Sequence, residues 1–414
     1  MNIAMFVSEF PAVSTTFIYN QIAGLIRHGH TVTIFASKKG DNQTVQDVVK
    51  KYGLDQRVVY QYQDIPANKI LRFLKLISMT FKNISHISLA KYLQCFNLKK
   101  YGKNAANFNI AYLYLSLLQK RDSYANHFDI IHCQFLTLCH KALLIQDLGL
   151  INGPIVASVR GYDITKNQHS IDYSEVFKRV HLFMPVSNSL KEKLIQKGCP
   201  EEHIAIHYSG IDVQAFSPQT AHKNSKTTQL LSVARLSEKK GLEYAIRAVS
   251  SLLKNGVALE YNIIGDGELK KDLTDLIDRL GCREYILIRG SQTQTVVREF
   301  LNQATIFIAP SVTAFNGDQE GIPNVIKEAM LFELPVVSTL HSGIPELVVD
   351  GHTGCLCAEK DADALAQNIQ FLIDHPSIAR QYGKNGKQSV LDSFDNEMLT
   401  KKLITLYEQV IRST

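Results

Sequence analysis

Short continuous apolar runs alternate along this chain with longer stretches in which apolar residues recur every three or four positions. The first kind reads as strands buried on both faces and the second as helices laid over them. The alternation therefore predicts βαβ units around mostly parallel sheets. In the first half, strands are predicted at Ile3–Val7, Thr31–Ala36, Val58–Tyr60, Asp129–His132, Ile155–Val159 and Leu182–Pro185. Helices are predicted at Thr16–His28, Phe135–Leu148 and Ser187–Lys197. A second series follows, with strands at Leu230–Val233, Leu259–Ile264, Ile286–Arg289, Ile306–Ala309 and Pro335–Ser338. Its helices are predicted at Leu242–Lys254, Leu269–Leu280, Thr295–Gln303, Asn324–Leu331 and Asp361–Asp374, and again from Ser377 to the end.

The polar stretch Ser217–Thr228, which contains Pro218 and Asn224, reads as a linker between the two series. The expected organisation is an α/β protein with two doubly wound, Rossmann-like domains facing a cleft. They are an N-terminal domain over 1–216, a linker over 217–228, a C-terminal domain over 229–394 and a helix over 395–414 that can cross back to the first domain. Ligands of such sheets bind beyond the carboxyl ends of the strands, so the loops after Val7, His132, Val159, Val233, Ile264, Ala309 and Ser338 are the ones to watch.

Composition narrows the class. With 45% hydrophobic and 20% charged residues the chain is globular, and it has no run of the roughly 18 apolar residues a membrane-spanning helix needs. No basic segment precedes a long apolar one at the start, so no secretory signal is expected, and seven scattered cysteines suit reduced thiols in a cytoplasm. The net charge is only +6, yet Lys69 to Arg121 holds ten basic residues and no Asp or Glu. That segment carries the whole positive excess and calls for an anionic partner: a membrane surface, a lipid diphosphate or a nucleic acid. Within it Ile70, Leu71, Phe73, Leu74, Leu76 and Ile77 interleave with Lys69, Arg72 and Lys75, as in an interfacial helix. Tyr92, Phe96, Tyr101, Phe108 and Tyr112 suit a core stripe.

Three stretches carry candidate chemistry. In Ser232–Gly241, Arg235 stands at a strand's end and Lys240 just before a helix. Two cations beside helix amides suit a diphosphate, and an ordinary solvated loop fits the same pattern. Ile264-Gly265-Asp266-Gly267-Glu268 offers part of a dinucleotide fingerprint, equally readable as a tight turn. The richest stretch, Gly317-Asp318-Gln319-Glu320-Gly321-Ile322-Pro323-Asn324, runs into a helix bearing Glu328. A helix start favours phosphate, and a carboxylate accepts from two vicinal hydroxyls at once, as a sugar would present them. His132, at a strand's carboxyl end, is a cleft candidate or a core histidine. The cluster His132-Cys133…Cys139-His140 does not match zinc spacing.

Glu320-Gly321-Ile322-Pro323-Asn324…Glu328-Ala329-Met330, followed by Leu334-Pro335-Val336-Val337 and Ser342-Gly343-Ile344-Pro345-Glu346, resembles the family-four retaining glycosyltransferases of the GT-B fold. Phe6-Val7-Ser8-Glu9-Phe10-Pro11, Arg160-Gly161-Tyr162-Asp163, Pro185-Val186-Ser187 and Ser209-Gly210-Ile211-Asp212 match in order, so the likeness spans nearly the whole chain. The resemblance implies metal-independent transfer, with retention, from a nucleotide-diphosphate sugar to a glycan acceptor. The acceptor is expected to be lipid-linked, in bacterial surface polysaccharide synthesis at the inner face of the membrane, with no cofactor and no nucleic-acid partner. Arg235 and Lys240 would bind the diphosphate, Glu320 the sugar hydroxyls, Glu328 the ribose, and Gly317, Asp318, Gly321, Ile322, Pro323 and Asn324 would line the pocket beside Gly265 and Gly267. Pro11, Ser14, Thr16, His132 and Asp163 would stand on the acceptor side. Two positions depart from the family pattern. Arg160 stands where His is usual, free to contact hydroxyls or phosphate, to pair with Asp163 or to favour an acidic sugar. Ser14-Thr15-Thr16-Phe17 and Gln21 replace a run usually richer in glutamate. An epimerase or phosphorylase of the same fold remains open, as does a basic membrane- or nucleic-acid-binding scaffold.

Overall fold

A computed structural model describes residues 1–12, 16–40, 47–62, 65–165, 171–216 and 227–414, with the backbone alone at Thr16 and Asp47. Most of the expected linker and Ser14 lie outside these residues. Strands β1 (Asn2–Phe10), β2 (Thr31–Lys39), β3 (Val58–Tyr60), β4 (Ile130–Cys133), β5 (Ile155–Val159) and β6 (Leu182–Pro185) form one parallel sheet in the order β3-β2-β1-β4-β5-β6. Strands β7 (Thr228–Val233), β8 (Leu259–Ile264), β9 (Ile286–Ile288), β10 (Ile306–Ala309), β11 (Val336–Thr339) and β12 (Gly354–Cys357) form a second, β12-β11-β10-β7-β8-β9.

Each sheet thus runs outward in both directions from its first strand. This is the doubly wound order, whose switch points lie between β1 and β4 and between β7 and β10. The strands are apolar throughout because both faces are covered: β4 and β5 have no exposed residue. The helices over them show one apolar stripe each. In Leu242–Lys254 the buried Leu242, Ala245, Ile246, Val249 and Leu252 recur at helical spacing.

The elements missing from the sequence pattern have identifiable reasons. β12 is a short edge strand containing Gly354, Cys355 and Cys357, with no period to announce it. Within the basic segment the chain breaks into helices Lys69–Lys82, Leu89–Gln94, Leu98–Tyr101, Lys103–Ala106 and Asn109–Leu118. Only the last is buried on all sides. Tyr92, Phe96, Tyr101 and Phe108 pack against the core around it.

The final helix, Asn396–Ser413, lies on the helix Thr16–Arg27 of the first half. Tyr407, fully buried there, hydrogen-bonds His132 at 2.6 Å, and Leu399 O receives His207 Nε2 at 2.9 Å. The C-terminus therefore closes the core of the N-terminal sheet, and the two halves are tied by chain as well as by the cleft.

Candidate active site

The cleft site begins at the switch point of the second sheet. Beyond β7 the chain passes Arg235 and makes a short turn, Glu238–Lys240, before the helix Leu242–Lys254. Gly241 joins them at φ +60°, and a Cβ there would stand 1.9 Å from Pro310 O. That close approach sets Lys239 and Lys240 against the loop that follows β10. Both ammonium groups meet one carboxylate oxygen: Lys239 Nζ and Lys240 Nζ are each 3.1 Å from Glu320 Oε1. Lys239 also lies 3.3 Å from Asp318 Oδ1. Burial would raise the Glu320 carboxyl, but Lys240 and Lys239 hold it down at about 2. Glu320 is therefore ionised throughout the physiological range.

A second layer of side chains fixes the Glu320 loop. Its backbone N–H donates to His341 Nε2 at 3.1 Å, so that nitrogen carries no proton and Nδ1–H donates to Glu359 at 2.6 Å. Glu359 also accepts from the Thr313 amide at 2.8 Å, and Gln319 Nε2 reaches Thr313 Oγ1 at 2.9 Å. His341 is fully buried, and burial lowers its pKa. The loop is thus held at both ends by a neutral histidine and a carboxylate.

The helix Asn324–Leu331 starts directly after this loop, and its first-turn amides point back toward it. Glu328, one turn in, is half-buried, and burial pushes its carboxyl up to about 7 against the pull of Lys327 and Arg298. Lys327 is completely buried, donating to Ser209 O at 2.6 Å and Asn324 Oδ1 at 3.0 Å. Burial brings its pKa down to about 7.

The loops of the two halves meet over this site. Gln319 N donates to Thr165 Oγ1 at 3.2 Å, and a Cβ on Gly321 would stand 3.1 Å from Arg160 O. Glu346 caps the opposite helix Asn188–Gln196, accepting from Asn188 N at 2.7 Å and Asn188 Nδ2 at 2.8 Å. Gly317 turns at φ +80° beside Thr165 O, and Ile322 and Pro323 are buried beneath the loop.

Several expected site residues are placed otherwise. Arg235 is largely exposed and points to Glu268, 3.5 Å away, rather than joining Lys240. Gly265 and Gly267 serve backbone packing. A Cβ on Gly265 would stand 1.8 Å from Ala234 O, and one on Gly267 2.5 Å from Leu236 O. His132 does not face the cleft. It is fully buried, with Nδ1 on Tyr407 and Nε2 on Ser158 Oγ at 2.8 Å, and burial drives its pKa well below the usual value. Asp163 is buried too, accepting from the amides of Leu136 (2.8 Å), Arg160 and Gly161 (both 3.0 Å), so it pins two loops.

The Arg160 guanidinium does not pair with the Asp163 carboxylate. It donates to Gln134 O at 3.1 Å, Gln134 Oε1 at 2.6 Å and Ser209 Oγ at 2.7 Å, and stacks 4.3 Å over Phe17. These three bonds hold the guanidinium between the loops after β4 and β5 and use three of its five N–H donors. Pro11 is buried at the end of β1, its carbonyl oxygen 1.9 Å from where a Cβ on Gly40 would stand. Thr16 opens its helix. Sequence reasoning missed Lys239, Lys327, His341 and Glu359. Lys239 was legible as Lys240's neighbour, whereas the His341–Glu359 pair is formed only when β12 returns the chain to the loop.

Two doubly wound sheets thus face one another, with lysines and carboxylates paired at the switch point of the second. Residues 213–389 match the family model of the glycosyl transferases group 1. The chain is 34% identical, over 99% of its length and 100% of the relative's, to WcaL, the glycosyltransferase assigned to colanic acid biosynthesis in Escherichia coli K12. It is 32% identical, over 88% of its length and 89% of the relative's, to the amylovoran biosynthesis glycosyltransferase AmsK of Erwinia amylovora. A crystal structure of Anabaena Alr3699/HepE in complex with UDP and glucose shares the fold, with a TM-score of 0.73 at 17% identity, covering 99% of this chain and 100% of that one. The chain belongs to the group 1 glycosyltransferases, the family-four enzymes of the GT-B fold.

Proposed function

We propose that this enzyme transfers a sugar, with retention at the anomeric carbon, from a nucleoside diphosphate sugar to a lipid-linked glycan acceptor in bacterial exopolysaccharide synthesis. Relatives assigned to colanic acid and amylovoran synthesis support the pathway class, and the UDP-bound Anabaena structure supports a uridine diphosphate donor. The observation that carries the reading is the Lys239–Glu320–Lys240 cluster beside the start of the helix bearing Glu328.

The cluster suggests how the donor is held. With the site free, Glu320 and Asp318 together balance the charge of the two lysines. An incoming diphosphate takes them over, together with the first-turn amides of the helix Asn324–Leu331. Glu320, still ionised, is then released to accept from hydroxyls of the donor sugar. Glu328, with a carboxyl near neutrality, suits the two hydroxyls of the ribose. As the sugar–phosphate bond breaks, the two ammonium groups neutralise the charge growing on the leaving diphosphate, the task a divalent cation performs in other transferases. No protein nucleophile is assigned. The departing phosphate takes the acceptor's proton on the face from which it leaves, which accounts for retention.

No helix among the described residues is long and apolar enough to cross a membrane. The basic segment 69–121 would instead hold the enzyme peripherally, at an anionic cytoplasmic membrane surface where a lipid-linked acceptor resides.

The test is thermal stabilisation by UDP, GDP, ADP and CMP in the wild type and Glu328→Ala. A nucleotide at 100 times its dissociation constant should stabilise the wild type by about 2.7 kcal/mol and leave the variant nearly unchanged. If no nucleoside diphosphate moves the wild-type melting temperature, the proposal fails.

A further inference from the structure

The helix Lys69–Lys82 is apolar on two opposite faces. Leu76 and Met79 look inward and are buried over the helix Asn109–Leu118. Arg72 sets the orientation, donating to Pro66 O at 2.8 Å, Asn107 O at 2.9 Å and Asn109 Oδ1 at 2.6 Å. Half a turn away, Ile70, Leu74, Ile77 and Phe81 repeat at i, i+4, i+7 and i+11 and stand in the open, with Ile70 70% and Phe81 71% exposed. Leu89 and Leu93, four residues apart on the next helix, are exposed as well. One exposed leucine means nothing, but a contiguous row on the outward face of a packed helix requires an occupant. An ordinary surface helix turns polar residues there.

Charge says which occupant. Lys69 and Lys82 are exposed at the two ends of this helix and Lys99 and Lys103 on the short helices that follow, while no Asp or Glu occurs from residue 69 to residue 121. Lys91 and Lys100 are turned away, to Asp147 O at 2.6 Å and Asp147 Oδ2 at 2.9 Å. A projecting apolar ridge with lysines at its ends matches acyl chains below and phosphate headgroups around them.

We infer that the outward row Ile70, Leu74, Ile77 and Phe81 of the helix Lys69–Lys82 is inserted in the plane of an anionic bilayer, with the neighbouring lysines at headgroup level. The inference rests on the reading that the enzyme works at a membrane. It goes further in assigning the anchorage to apolar insertion at named residues, with charge as the selector of lipid. The two contributions separate by salt, because screening weakens the lysines and leaves the inserted row in place.

The experiment is sedimentation of the full chain with vesicles of phosphatidylethanolamine and phosphatidylglycerol, and with phosphatidylcholine vesicles, at low and high salt. The wild type should prefer the anionic vesicles and keep part of its binding at high salt. The variant Ile70→Ser/Leu74→Ser/Ile77→Ser/Phe81→Ser should bind at least about tenfold more weakly and lose the salt-resistant part. Lys82→Glu/Lys99→Glu/Lys103→Glu should lose the preference for anionic lipid and keep the salt-resistant part. Unchanged vesicle binding by the first variant would overturn the inference. So would a wild type that ignores vesicles and forms a dimer that the first variant dissolves, since the row would then face a second copy. Melting temperature and UDP stabilisation, measured on every variant, serve as the folding control. They also keep the two readings apart: failure of every nucleoside diphosphate to stabilise any form, with ridge-dependent vesicle binding intact, would sink the proposed donor reading and leave the anchor standing.

Discussion

The two sheets share one strand order, yet they treat their polar residues in opposite ways. At the carboxyl ends of β4 and β5, His132, Arg160 and Asp163 are hydrogen-bonded within the protein, to Tyr407, Ser158, Gln134, Ser209 and three backbone amides. They hold loops and the C-terminal helix. Beyond β7 and β10, Lys239, Lys240 and Glu320 bind mainly one another, through ion pairs that a charged ligand can exchange. A charged residue at a strand's end is therefore a poor sign of a site by itself. What distinguishes the site is that its charges have each other, rather than neutral groups of the protein, as partners.

The broadest way to break this contrast is acid. His132, His207 and His341 are buried and neutral. Burial lowers all three pKa values, that of His207 to about 4. Between those values and the unfolded value near 6.5 the unfolded chain binds more protons, so stability is full above that pH and falls as pH drops below it. Three such groups allow a slope of up to about 4 kcal/mol per pH unit. Chemical denaturation from pH 7 to pH 5 should show a steep loss, and His207→Gln should lower the slope by about 1.4 kcal/mol per unit. A flat profile would mean that the buried imidazoles find compensating partners on protonation.

Next in size is the split between the two cations read from the sequence. Lys240→Ala should reduce the rate of nucleoside diphosphate release about 100-fold or more, close to 3 kcal/mol of transition-state stabilisation. Arg235→Ala should cost less than about tenfold, because the side chain lies out at Glu268. Equal losses would show that Arg235 swings in when donor binds, which steady-state kinetics on both variants decides.

Smaller still, Tyr407→Phe should destabilise the fold by about 1 kcal/mol through the lost bond to His132, with turnover per folded molecule unchanged. A fall in turnover would place the C-terminal helix in the reaction. Smallest is Glu328→Gln. Its carboxyl is raised to about 7, so its contribution to stability is present at low pH and lost as pH rises through 7. At pH 8 the glutamine variant should therefore be more stable, on the order of 1 kcal/mol, while losing nucleotide binding.

Much of this was legible early. The helix Leu242–Lys254 and the strands Leu259–Ile264 and Ile306–Ala309 follow from periodicity alone, because a buried parallel strand and a one-sided helix leave different marks. Glu320 and Glu328 stood out as a carboxylate pair around a helix start, and the family resemblance ran through the same residues. For Arg235, His132 and Arg160 the loop was legible but not the partners, because position along a strand says nothing about where a side chain finds them: Arg235 lies at Glu268, His132 takes the core alternative, and Arg160 bonds Gln134 and Ser209.

The sequence by itself determined the class of fold, the family and the residues that carry most of the charge in the cleft. These depend on short-range pattern: period, turn glycines and the spacing of a loop against its helix. Only the tertiary structure decided that Lys239 shares Glu320 with Lys240, that His341 and Glu359 hold that loop, and that His132 lies under the C-terminal helix. Each of these contacts joins segments brought together by sheet order or domain closure, and hydrogen bonds over such separations leave no local trace in the chain.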